Sequence, residues 1–400
     1  MFGAPRAAGR RIRPQAWLAL IVAAAVSACT GFSPGDFFSG APQPSQAPSA
    51  IGTGRVKVAI VLPLSAGGNA GAVGQSMRNA AEMAVVEFNN PDIQLLVKDD
   101  AGNAQTAQQV AQQALDEGAE IILGPVFAQS VQTVGQVARA RNMSVIAFST
   151  DSNVAARGTY LLSFLPESDV SRIVDYAVSQ GKRSFVALVP DNAYGSVVEA
   201  AFRQAVTRRG ARIVALERYA PDRTRLQEAV RNVAQAAGGA DALFAPGEGD
   251  AVPAVVQALA ASGVDLRRLQ LLGTGLWEDS RVFAEPSLQG GWYVGADPTS
   301  PNNFGAFAGR YRARYGQEPA RTASLSYDAV ALVAALVRTQ GPRRFSADVL
   351  TNPSGFAGID GVFRFRPDGT NQRGLAVLRV TPAGGQVVSP APRAFGGSGT

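Results

Sequence analysis

From Arg55 onward the chain alternates short β-branched runs with longer stretches of helical period, and this alternation narrows the possible folds more than any other feature. Parallel strands need a crossover between them, so repeated strand–helix–strand units predict an α/β layer structure with helices on both faces of a parallel sheet. VKVAIVLP (56 to 63), IQLLVKD (93 to 99), AEIILGP (119 to 125) and MSVIAFS (143 to 149) read as strands, with helices over 72 to 89, 104 to 117 and 129 to 141. A second set follows. SFVALVP (184 to 190), ARIVALERY (211 to 219), DALFAP (241 to 246) and LQLLGTG (269 to 275) alternate with helices near 168 to 180, 194 to 209, 224 to 237 and 250 to 262. The same unit used twice predicts two Rossmann-like lobes joined by a hinge, with a cleft between them. TYLLSFLPES (159 to 168) reads as a strand leading into a crossing from the first lobe to the second.

The segment before this pattern has a different logic. Arg6, Arg10, Arg11 and Arg13 precede an apolar stretch from Ala16 to Val26 and the small residues Ser27 and Ala28, the three regions of a secretory signal. The apolar stretch is shorter than the roughly 20 residues a bilayer span requires. Cys29, the only cysteine, follows directly, so no disulfide can form within one chain. Val26-Ser27-Ala28-Cys29 resembles the bacterial lipobox, which implies a signal peptide over 1–28 and lipid attachment at Cys29; an ordinary signal peptide cut at the same small residues and a buried structural cysteine are the alternatives. Thr30 is not the aspartate that retains enterobacterial lipoproteins in the inner membrane, so an outer-membrane anchor facing the periplasm of a Gram-negative cell is favoured. Residues 29–54, with Pro34, Pro42, Pro44 and Pro48 among small and polar residues, read as a disordered tether.

Charge and composition exclude several function classes. Four of the 37 basic residues precede Cys29; without them 33 remain against 31 acidic ones, a net charge of +2. The remaining arginines are spread rather than gathered on one face, which argues against nucleic acid as a partner. GNAGAVG (68 to 74) lacks both the Walker lysine and the G-x-G-x-x-G spacing, so no nucleotide cofactor is expected. The chain has no histidine, which removes His-dependent triads, His acid–base chemistry and most zinc sites. No enzyme activity, cofactor or metal is expected.

VKVAIVLPLSAGGNAGAVGQSMRNAAEMAV, IILGPVFAQSVQTVGQVARARNMSVIAFST, SFVALVPDNAYG and FAGRYRARYGQEPARTASLSYDAVALVAAL resemble the successive landmarks of type I periplasmic binding proteins of the leucine/isoleucine/valine-binding type. The resemblance runs from residue 55 to about 380. It implies a three-segment hinge, with crossings near 164 to 168, 294 to 299 and 340 to 356. Lobe 1 would then comprise 55–165 with 299–342 returning to it, and lobe 2 would comprise 166–298 with about 356–383 added. Residues 384–400 would form a disordered tail.

In open α/β sheets ligands sit beyond the carboxyl ends of the strands, where helix N-termini offer backbone N–H groups to an anion. By resemblance, Gln129 and Ser130 match the region whose serine holds the ligand carboxylate, Ser149 and Thr150 match the second polar loop, and Tyr194 matches the aromatic that covers the ligand from lobe 2. Each has a structural alternative: a helix cap for Ser130, a turn for Thr150, packing for Tyr194. One departure stands out. Amino-acid binders of this type carry an acid after a lobe-2 strand to pair with the α-ammonium, and here Gly275 and Leu276 occupy that place, with Glu248, Glu278 and Asp279 as possible substitutes.

Two functions follow from the resemblance. LSFLPESDVSRIVDYAVSQGKRSFVALVPDNAYG is similar to the outer-membrane lipoproteins of this fold that activate penicillin-binding proteins in peptidoglycan synthesis, which makes a non-catalytic regulator the leading expectation, with a penicillin-binding protein as partner. The alternative is a receptor that captures an amino acid or similar small solute and delivers it to an ABC permease.

Overall fold

The computed structural model describes residues 50–89, 91–220 and 223–395. The first sheet is built from β1 (Ala50–Ile51), β2 (Val56–Leu62), β3 (Ile93–Asp99), β4 (Ile121–Leu123), β5 (Ser144–Ala147) and β6 (Thr159–Leu161), in the spatial order β1-β3-β2-β4-β5-β6. β2 to β6 are parallel, and only β1 runs against its neighbour, pairing Ala50 with Leu96 and Ile51 with Leu95. α1 (Asn69–Glu87), α2 (Ala104–Asp116) and α3 (Ala128–Ala140) supply the crossovers. β2 has apolar residues on both faces because helices cover both: Val58, Ile60 and Leu62 join one core, Ala59 and Val61 the other.

The second lobe repeats the plan. α4 (Pro166–Ser179), β7 (Ser184–Pro190), α5 (Ala193–Arg208), β8 (Arg212–Tyr219), α6 (Arg223–Ala237), β9 (Ala242–Phe244), α7 (Val252–Ala261), β10 (Gln270–Leu272), α8 (Ser280–Ala284) and β11 (Trp292–Gly295) follow in chain order. The chain then returns to lobe 1. α9 (Phe304–Tyr315) and α10 (Ala323–Thr339) pack there, with α10 against α1 and the α9 residue Tyr315 donating its hydroxyl to the Asn79 carbonyl at 2.8 Å. After α11 (Ala347–Leu350) come β12 (Phe356–Gly358), β13 (Gly361–Phe365) and β14 (Asn371–Arg373), a small antiparallel sheet, and then β15 (Ala376–Thr381) and β16 (Gly384–Ser389). Lobe 2 closes as a seven-stranded sheet, β16-β15-β11-β10-β9-β7-β8, antiparallel only at β11/β15 and β15/β16. The α/β fold with two parallel-rich layers is the one the alternation predicts.

Three boundaries differ from the sequence expectation. Residues 356 to 373 belong with lobe 1 rather than lobe 2: Phe363 and Phe365 are fully buried in the lobe-1 core, and Phe365 lies 5.4 Å from the Tyr160 ring. The third crossing therefore falls between β14 and β15, not at 340 to 356. The segment 384–389, expected in a disordered tail, is the edge strand β16; Gly385 approaches the Tyr293 hydroxyl so closely that a Cβ there would lie 2.0 Å from it. Its Gly-Gly-Gln start carries little strand signal, and pairing to β15 supplies the order. The tether expected to reach residue 54 ends earlier, since Ala50 and Ile51 form β1 and Gly54 donates to the Ile93 carbonyl at 3.1 Å.

Candidate functional site

The carboxyl ends of β4 and β5 are adjacent, since the two strands pair in parallel from Ile121↔Ser144 to Leu123↔Ile146. Their loops are tied together by the Phe148 N–H donating to the Pro125 carbonyl at 2.9 Å. α3 begins at this edge. Its N-cap is Phe127, whose side chain cannot accept a hydrogen bond, so the N–H groups of the first turn are left without a side-chain cap. Ser130 lies in that turn, 1% exposed, with no hydrogen-bond partner for its hydroxyl. Gln129 and Thr150 are exposed. Ser149 is buried and its Oγ accepts the Asp151 N–H at 3.1 Å, which makes it a turn-forming residue. Phe127 itself is 39% exposed, one of four large apolar residues open to solvent among the described residues.

The lobe-2 side is more tightly organised. Asn192 caps α5 by accepting the Gly195 N–H at 2.8 Å, which places Tyr194 in the first turn. The half-buried Tyr194 ring packs on the lobe-2 core, and its hydroxyl lies 2.7 Å from Thr274 Oγ1 in the loop after β10. Burial raises the Tyr194 phenol well above its ordinary range, so it stays neutral. Thus Tyr194 is fastened to the neighbouring strand-end loop rather than standing free as a lid.

Asp169, not singled out from the sequence, lies beside this loop. It sits in the first turn of α4, and its Oδ2 accepts the Gly275 N–H at 2.9 Å. A Cβ on Gly275 would lie 3.1 Å from that oxygen, so the carboxylate fills the space beside the position where a loop acid was expected. Burial raises the Asp169 pKa to about 7, against the opposing pull of the Gly275 N–H and of Arg373. The signal was present as Pro166 at the start of a helix with Glu167 and Asp169 in its first turn, at the first crossing. Among the other acids, burial also raises Glu278, with Arg321 opposing; Asp279 instead pairs with Arg281 at 2.8 Å and falls to about 2.

Behind these loops the three crossings are joined by charge and aromatic contacts. Arg321 forms a two-pronged pair with Asp360, at 2.6 and 3.1 Å, and its guanidinium lies 4.4 Å from the rings of both Phe164 and Phe304. Arg373 donates to the Ser163 carbonyl at 3.0 Å and stacks on Phe164. Asn371 donates to the Leu161 and Ser163 carbonyls, each at 2.8 Å. Asp328 is 3% exposed; Oδ1 accepts the Ile359 N–H at 2.9 Å while Oδ2 has no partner, and burial with neighbouring Asp360 raises its pKa to about 8.

The structure therefore sets Ser130, Gln129, Ser149 and Thr150 at adjacent strand ends of lobe 1, and Tyr194 at a strand end of lobe 2 beside Thr274, Gly275 and Asp169. Cys29 lies outside the described residues. Two α/β lobes with ligand-type loops at their strand ends define a binding protein of the hinged, two-lobed class. A periplasmic binding protein family model matches residues 55–386, and the chain belongs to that family. Solved structures agree in fold. A protein from Rhodospirillum rubrum described as a candidate branched-chain amino acid ABC transporter superposes with a TM-score of 0.74 at 20% identity, over 83% of this chain and 99% of its own. The substrate-binding protein LivJ from Streptococcus pneumoniae, in complex with isoleucine, gives 0.56 at 20% identity over 84% and 99%. A solute-binding protein of an ABC transporter from R. palustris, in complex with benzoate, gives 0.57 at 19% identity over 86% and 98%. The uncharacterized protein RP748 of Rickettsia prowazekii is 20% identical over 178 residues, 44% of this chain and 47% of that protein, so the chain matches about half the length of this relative.

Proposed function

We propose that the protein is a non-catalytic solute receptor of the periplasm, serving an ABC permease and binding a small carboxylate. This is the runner-up of the two functions read from the sequence. The relatives favour it over regulation of penicillin-binding proteins, because the solved structures of this fold named above are solute-binding or transporter proteins. The observation that carries the ligand class is the start of α3, where uncapped N–H groups meet the strand-end face of lobe 1. Such a terminus stabilises an anion through its unsatisfied donors and the helix dipole. Isoleucine and benzoate, the ligands of two relatives, share a carboxylate and little else. The proposed cell-envelope anchor is a lipid on Cys29.

Thermal melting with a panel of common amino acids and aromatic carboxylates tests the reading. A true ligand at 100 times its dissociation constant should stabilise the fold by about 2.7 kcal/mol through mass action. Ala128→Pro, at the first helical position, which tolerates proline, removes one donor N–H and should lower affinity about tenfold. No stabilisation by any member of the panel would overturn the reading.

A further inference from the structure

We propose that the crevice between the lobe-2 helices α4 and α5 and the β13–β14 hairpin of lobe 1 is a second binding site, fitted to inorganic phosphate that keeps one proton. The inference is independent of the receptor reading. It concerns a different face of α4 from the one that turns Asp169 to Gly275.

The crevice has a volume of about 570 Å³. Arg172 enters it from α4, Arg208 and Arg209 from α5, and Arg366 and Arg373 from the hairpin. Arg209 is neutralised by Asp175 at 2.6 Å. The other four donate to neutral acceptors or to none. Arg172 donates through Nε to the Leu375 carbonyl at 2.9 Å and through Nη2 to Ser389 Oγ at 2.7 Å, and Arg208 donates to Ser171 Oγ at 3.1 Å. The exposed Arg366 side chain makes no hydrogen bond or ion pair among the described residues.

Arg373 carries the argument. It is the one buried residue among those lining the crevice, at 5% exposure. Its Nε donates to the Ser163 carbonyl at 3.0 Å and its guanidinium lies on the Phe164 and Phe363 rings, yet Nη1 and Nη2 are buried with no hydrogen-bond partner. Burial lowers its pKa, although Asp360, Asp328 and Asp169 oppose this through space. Buried cationic donors left without an acceptor are costly, and an oxyanion held among several arginines supplies the missing acceptors through charge-assisted hydrogen bonds.

Glu167 narrows the class. Its Oε1 accepts the Ser152 hydroxyl at 2.6 Å, while Oε2 is buried with no partner, and no arginine pairs with it among the described residues. An unmatched acceptor and unmatched donors in one crevice fit a ligand that accepts and donates at once. Monohydrogen phosphate does both. Sulfate has no proton to donate, and a phosphomonoester loses its last one above a pKa of about 6. Because Arg366 and Arg373 belong to lobe 1 and Arg172 and Arg208 to lobe 2, an ion held here would tie the two lobes together beside the hinge.

The test is isothermal titration of the full chain in detergent, slightly above neutral pH and at constant ionic strength, with inorganic phosphate, glycerol 3-phosphate, sulfate and chloride. The expected result is saturable binding of phosphate, one ion per chain, at least tenfold tighter than sulfate or glycerol 3-phosphate, with no heat from chloride. Arg366→Gln and Arg208→Gln, both at exposed positions, should each weaken phosphate about tenfold. Glu167→Gln should shrink the preference for phosphate over sulfate. The wild-type comparison of the four anions needs no variant, so a misfolded substitution leaves the question answerable. Absence of saturable phosphate binding would overturn the site, as would binding that neither arginine substitution weakens. Sulfate or glycerol 3-phosphate bound as tightly as phosphate would overturn the proton-bearing ligand.

Discussion

Two buried carboxyl groups carry pH behaviour that can be predicted with its sign. Asp328 has a folded pKa raised to about 8, far above the 3.9 or so of an unfolded aspartate. The folded state therefore binds the extra proton between about pH 4 and 8, and stability falls as pH rises through that window. Burial is the main cause, with Asp360 adding repulsion and Arg373 and Arg321 opposing it. Asp328→Asn keeps an acceptor for the Ile359 N–H and removes the titrating proton. Its melting temperature should equal or trail the wild type at pH 5 and exceed it by a few degrees at pH 8.5; a wild-type melt flat across that range would refute the assignment. Asp169 gives the second case. Burial raises its pKa to about 7, with Glu167 adding repulsion, Arg373 and the Gly275 N–H opposing, and the neutral Tyr194 phenol nearby. The folded state keeps the proton that an unfolded aspartate loses near pH 4, so Asp169→Asn should gain in melting temperature over the wild type as pH rises from 5.5 to 8, and an unchanged difference would refute the shift.

At the scale of elements, β16 separates what the chain declares locally from what pairing imposes. Truncation after Pro382 should remove the edge strand, uncover Leu378 and Tyr293, and lower the urea midpoint measurably; a disordered tail would cost nothing. The runs with strong β-branched or helical period, such as Ile93–Asp99 and Ser184–Pro190, were read to the residue, because each buries both faces or one clear stripe. The segment after α10 was not. There Phe363 and Phe365 alternate as a strand should, yet nothing local tells which lobe's core they enter; that choice depends on Tyr160, some 200 residues earlier. The site shows the same limit. Tyr194 was singled out through its motif, whereas Asp169 was not, because it reaches Gly275 across 106 residues of sequence and belongs to a helix start that reads as ordinary capping. Ser149 was legible only as a polar loop residue, and its bond to the Asp151 N–H shows the turn role instead.

For the whole molecule, two lobes joined at three crossings should close on a ligand that contacts both, and only a ligand with such differential contacts shifts the balance. Small-angle scattering with a stabilising amino acid should show compaction. Replacing Cys29 by serine should abolish palmitate labelling and release the protein from the membrane fraction; persistent label would place the anchor elsewhere. Arg321 bears on how the closing happens. One guanidinium touches Phe164 from the first crossing, Phe304 at the end of the second, and Asp360 ahead of the third. Arg321, Phe304 and Asp360 all belong to lobe 1, so the contact clamps Phe164 of the first crossing against that lobe. The protein should then move as two bodies about a first crossing that is gripped at its lobe-1 end, so that its bend is concentrated on the lobe-2 side of Phe164.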